Sequence, residues 1–280
     1  MTSIKVNADK TPLALDKRIA DFLNPRNSFP VCVLTNLNFR YSDESHTPLY
    51  DTRLSTTAAF ISEVTRYLVW LYWARLVSMV EHKHTDLLRP STIARLVDGP
   101  VNLISYASSR INPCTKTMLA HLEKEYGLTL RFVAADGSGG VNGDLSGRIL
   151  GVSSGVGFTW QEETFVHEQD HRDYGIIVRA HPALHDPRVW WIFAGCSRPG
   201  SVAARKLIFE RTWAEYLVKK IGKNNWESFA AVFSVDYDPQ SSDNPRNPQI
   251  ISTILFKQLK AAYLAHVPAS SKERRHPGFF

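Results

Sequence analysis

The sequence predicts an α/β fold with a mainly parallel sheet, helices on both faces and some mixed pairing. Two observations carry this. Short apolar, β-rich runs alternate with helical patterns along most of the chain. One run, RVWWIFAG (188–195), is continuously apolar, as strands buried on both faces are.

In order, a weak helical stretch spans Leu13 to Leu23, and FPVCVLTNL (29–37) reads as a strand. A polar loop (40–53) precedes a long helix, Thr56 to Val80, in which Phe60, Val64, Leu68, Leu71 and Leu76 recur at near-helical spacing. A connector rich in His, Pro and charge leads to the strand VNLISYA. After the turn SSRINPCT, a helix runs from Cys114 to Tyr126 and stops at Gly127. Pro113 suits its start, where a missing N–H loses no bond. LTLRFVA (128–134) is a further strand. The next segment, 136–158, holds eight glycines in 23 residues and predicts hairpins or a flap around an embedded strand, RILGV. DYGIIVRA (173–180) and RVWWIFAG are strands, Val202 to Ile221 a helix, and SFAAVFSVDYD (228–238) a strand. A Pro/Asn-rich loop (239–248) and a last apolar stretch (249–266) follow. The reading is an N-terminal extension (1–29), one domain (30–266) and a loose tail (267–280).

Composition narrows the function. The 280 residues are 44% hydrophobic and 21% charged, which allows a sizeable core and excludes a disordered chain. The net charge of +6 suits an anionic ligand, although no run of five basic residues occurs; Lys272, Arg274 and Arg275 form the densest patch. Three distant cysteines, Cys32, Cys114 and Cys196, exclude a disulfide framework and point to a reducing cytoplasm. The N-terminus has no apolar core of a signal peptide. Glu63, Arg66 and Arg75 make the long helix a poor membrane span.

Two strand-turn-helix junctions carry the candidate site: ISYASSRINPCT (104–115) and IFAGCSRPGSVAA (192–204). Ligands of open parallel sheets bind beyond the carboxyl ends of strands, and amides at helix starts attract phosphate. The candidate residues are Ser105, Ser108, Arg110, Asn112 and Thr115 from the first junction. The second contributes Gly195, Ser197, Arg198, Gly200 and Ser201. Ser109 offers a further hydroxyl. Asp173 and Arg179, at the two ends of DYGIIVRA, complete the set. Ser201 and Val202 stand where a nucleoside-triphosphatase loop needs Lys and Ser/Thr, which excludes that chemistry. The second loop also resembles the PGGxGT loop of lysine-decarboxylase-like phosphoribohydrolases. Their catalytic glutamate is replaced by the Val202–Ala204 run.

The order of these motifs resembles a sparsely characterised group of Rossmann-like prokaryotic domains. The group has a GxxxxN loop (Ser105 to Asn112, with Ser for the usual Gly), a DYG-initiated strand (Asp173 to Gly175) and an AGxxxxGT/S loop (Ala194 to Ser201). The resemblance covers residues 30–255 and implies a Rossmann-like fold with a ligand pocket rather than a particular reaction.

The resulting expectation is a small phosphorylated ligand, most simply a nucleotide, held between the two loops with Arg179 and the glycine segment nearby. The protein would act as a sensor or a nucleotide-processing enzyme, with Glu162, Glu163, Glu168, Asp170 and Asp173 as nearby acid–base groups. A rival is a zinc hydrolase on HEQDH, with His167 and His171 as ligands, Glu168 as base and His181 or His185 as a third ligand. A second rival is nucleic-acid binding, with tryptophans such as Trp190 and Trp191 stacking bases. No RNP sequence or basic stripe supports it. A homo-oligomer and a purely partner-binding role also stay open.

Overall fold

The computed structural model describes residues 17–36, 52–134, 156–161, 163–166, 171–222, 225–238 and 240–256. The expectations for RILGV, most of the glycine segment, Glu162, His167, Glu168, Asp170 and the tail lie outside them.

Among the described residues there are ten strands and six α-helices. The helices are α1 (Lys17–Leu23), α2 (Thr52–Trp73), α3 (Pro90–Asp98), α4 (Pro113–Tyr126), α5 (Arg198–Phe209) and α6 (Arg211–Ile221). The first half of the strands comprises β1 (Val31–Thr35), β2 (Val80–His84), β3 (Asn102–Tyr106), β4 (Leu130–Ala134) and β5 (Val156–Trp160). The remainder are β6 (Glu163–Val166), β7 (Arg172–Ala180), β8 (Trp190–Gly195), β9 (Phe229–Asp238) and β10 (Ser241–Leu255).

Seven strands form one sheet in the order β10-β9-β7-β8-β3-β1-β2. Its half from β2 to β8 is parallel, whereas β7, β9 and β10 join by antiparallel pairing. The sheet is therefore α/β and mixed, with more antiparallel pairing than the sequence suggests. β4, expected to belong with the others, forms a separate antiparallel sheet with β5 and β6.

Strand alternation sorts the core into two layers. On one face Val33, Tyr106, Trp191, Phe193 and Phe233 pack against α1, α2, α5 and α6. On the other, Leu34, Leu103, Trp190 and Ile192 pack against α3, α4 and the small sheet. Trp190 and Trp191 are fully buried on opposite faces, so both belong to the core rather than to a stacking surface.

Four readings change. VEHKH is β2, an edge strand with little apolar content, and Pro90–Asp98 is α3; both fall in the expected connector. The expected single helix after β8 breaks at Glu210, whose extended backbone (φ −96°, ψ 120°) separates α5 from α6. The Pro/Asn-rich loop is instead the first part of β10. Pro245 and Pro248 fit there because β10 is an edge strand with register shifts. α1 is no appendage, since Phe22 and Leu23 are fully buried in the core.

The chain leaves β1 to form β2 on one side and then returns to form β3 on the other. The carboxyl ends of β1 and β3 thus flank a topological switch point, where crevices for ligands open in such sheets.

Candidate ligand site at the carboxyl ends of the parallel strands

Both predicted loops lie at this end of the sheet, because β3 and β8 are adjacent and parallel. The Tyr106 hydroxyl donates to the Ser201 carbonyl at 3.3 Å, joining the end of β3 to the start of α5.

Asn112 organises the first loop. Its Oδ1 accepts from the Cys114 and Thr115 amides (3.0 and 3.2 Å), capping α4, as short polar side chains do at helix starts. Its Nδ2 donates to Leu34 O, Tyr106 O and Ser105 Oγ. Thr115 Oγ1 lies 2.7 Å from Ser105 Oγ and donates to Ala107 O. Ser105, Asn112 and Thr115 are fully buried and serve one another. Their expected role as ligand contacts gives way to that of a scaffold. Ala107 between them has φ 104°, a conformation that side chains rarely adopt.

What this scaffold presents is the turn from Ser108 to Ile111. The Ser108 carbonyl accepts from the Ile111 and Asn112 amides. Asn36, just after β1, donates through Nδ2 to the Ile111 carbonyl and so bridges the switch point. Ser109 is 2% exposed, and its hydroxyl is buried with no hydrogen-bond partner; Asn36 Oδ1 is also buried without one. Leaving such groups buried and unpaired is costly, and both lie at the carboxyl ends of β1 and β3. Arg110 adds positive charge near the Cys196 thiol, whose pKa burial and Asp173 nonetheless raise.

The second loop departs from expectation. Asp173, fully buried at the start of β7, places Oδ2 2.6 Å from the Gly200 amide, 2.7 Å from Ser197 Oγ and 3.2 Å from the Ser197 amide. This carboxylate holds the position at the start of α5 that a phosphate was expected to take. Gly195 and Gly200 are packing glycines: a Cβ on Gly195 would lie 2.2 Å from the Ser201 amide nitrogen, and one on Gly200 2.4 Å from the Tyr174 carbonyl oxygen. Ser201 turns its hydroxyl back to the Ser197 carbonyl. Arg198 is half-buried at the first turn of α5.

Arg179 belongs elsewhere. β7 runs antiparallel to β8, so Arg179 pairs with Trp191 near the start of β8, whereas Gly175 pairs with Gly195 at its end. Arg179 therefore sits at the opposite pole of the sheet. It is 3% exposed and donates to the Phe22, Asn24, Trp226 and Glu227 carbonyls, fastening α1 and the turn before β9. Burial pulls its guanidinium down to about 10. Asp186 pairs with Arg188 at 2.6 Å.

No reactive thiol emerges. Burial pushes Cys32 and Cys114 up to about 12 and Cys196 well above the ordinary thiol range, and all three are free. His171 immediately precedes β7 and is exposed. Among the described residues no three His, Cys, Asp or Glu side chains are grouped to hold a metal, and no helix is long and apolar enough to cross a membrane.

Sequence reasoning named Ser109 only in passing and missed Asn36. Only the strand order makes them neighbours, although a polar residue directly after an apolar strand was a usable signal. No protein-family model matches the chain, and no curated protein or solved structure matches it.

Proposed function

We propose that this is a Rossmann-like ligand-binding protein of a reducing, cytoplasmic compartment. It takes a small phosphorylated ligand, a nucleotide, at the switch point between β1 and β3. The observation that carries the reading is the pair of buried, unsatisfied polar atoms, Ser109 Oγ and Asn36 Oδ1, at the place where doubly wound sheets bind ligands. The hydroxyl donates or accepts and the amide oxygen accepts, so together they suit a ligand that both donates and accepts hydrogen bonds, as a base or sugar does. Arg110 and Arg198 supply the positive charge for phosphate.

The phosphate is held by side chains and the Ser108–Ile111 turn. The starts of α4 and α5 are already occupied by Asn112 and Asp173. Binding is the proposed activity, and no residue is assigned a catalytic role. The free, buried cysteines support the reducing compartment. A thermal-shift screen of mono-, di-, cyclic and sugar nucleotides against the wild type, Ser109→Ala and Arg110→Ala tests the reading.

A further inference from the structure

We infer that the β2 edge and the adjoining flank of α2 form a two-fold interface with a second copy of this chain. Three observations meet there.

First, among the described residues β2 pairs only with β1 and ends the sheet. An edge strand offers unpaired N–H and C=O groups to another strand. The outward groups can be assigned. The Met79 carbonyl accepts from the Val31 amide at 2.8 Å, so Met79, Glu81 and Lys83 turn their backbones toward β1. Val80, His82 and His84, the alternate residues, turn theirs outward.

Second, the charge pattern is self-complementary. With the two-fold axis at His82, antiparallel pairing bonds His82 to its own copy and Val80 to His84 of the second copy. Glu81 then faces Lys83 of the second copy, twice. These are the non-hydrogen-bonded pairs, in which side chains come closest. Within one chain Glu81 and Lys83 already lie 2.8 Å apart on the same face, so the acidic and basic groups needed at the seam are presented together.

Third, apolar surface adjoins the seam. One flank of α2 meets α5, through Glu63 with Arg205 and Tyr67 stacked on Phe209. The opposite flank carries Ala58, Ile61, Thr65, Val69 and Tyr72 and no charge, and α2 packs beside β2. Of eight large apolar side chains exposed among the described residues, five (Val69, Tyr72, Trp73, Leu76 and Met79) fall within this short stretch leading to β2, and Trp73 is 76% exposed. Such clustering is characteristic of an interface, and an isologous contact needs no second surface.

Sedimentation velocity across the micromolar range tests the interface on the full chain. The wild type is expected to be a dimer. Glu81→Lys and Lys83→Glu alone each place like charges in opposition and should weaken association by about tenfold or more. The double reversal Glu81→Lys/Lys83→Glu should restore it, and Val69→Glu on α2 should weaken it independently. Circular dichroism of each variant reports folding. A monomeric wild type, a dimer indifferent to the single reversals, or a double reversal as weak as the singles would each overturn the interface.

Discussion

The Asp173 carboxylate lies 2.6 Å from the Gly200 amide and binds the Ser197 amide and hydroxyl as well, so β7 supplies from a distance the anion that caps α5. A negative charge at a helix start is stabilised both by the free amides and by the helix dipole. Hydrogen bonds to a charged group are each worth about 1.5–3 kcal/mol. Asp173→Ala removes the acceptor for three donors and should cost roughly 3–4 kcal/mol. Denaturant unfolding should show a lowered midpoint at unchanged slope. Asp173→Asn should fall between the two. A variant as stable as the wild type would show that the start of α5 is satisfied in another way.

The same junction predicts a steric effect. Gly200→Ala puts a methyl group 2.4 Å from the Tyr174 carbonyl oxygen and 2.8 Å from Asp173 Oδ2, neither free to withdraw. Overpacking of this kind costs about 1–3 kcal/mol or more. Gly200→Ala should therefore lower Tm by several degrees, whereas Lys219→Arg at an exposed position of α6 should leave it nearly unchanged.

A pH effect follows from His82. Burial, with the nearby His84 adding to it, lowers its pKa below the usual 6.5. The unfolded chain thus binds the proton more readily than the folded one. Stability should be unaffected above 6.5, fall as pH drops from 6.5 to the lowered native value, and change no further from this residue below it. His82 Nε2 lies 2.8 Å from Thr35 Oγ1, and Gln can keep that contact. Stability curves of the wild type and His82→Gln should therefore diverge only in that acid window. Parallel curves would remove His82 as the cause.

Much of the parallel half was legible because its strands are buried on both faces and read as plain apolar runs: VCVLT, NLISY and WWIFAG. β2 escaped because VEHKH lies at an edge, where burial makes no demand for apolar residues. β10 escaped because two prolines suggest a loop until the strand is known to be an edge. Both loops of the site were legible as strand-to-helix junctions. The partners of their polar residues were not. Asp173 and Gly200, 27 residues apart, meet only because β7 turns back antiparallel along β8. That reversal also carries Arg179 to the far pole, where it ties down α1. The direction of a strand decides which of its ends meets a site, and the apolar pattern of DYGIIVRA reads alike in both directions.

The most direct measurement is the melting temperature of the wild type, Ser109→Ala and Arg110→Ala with and without each nucleotide class. A ligand present at about 100 times its Kd adds roughly 2.7 kcal/mol to stability. In a chain of this size each kcal/mol raises Tm by about 2–4 °C. The switch-point site predicts a rise of several degrees for one nucleotide class in the wild type, reduced in Ser109→Ala and abolished in Arg110→Ala, with all three proteins folded. No rise with any nucleotide, or a rise that both variants retain in full, would contradict it.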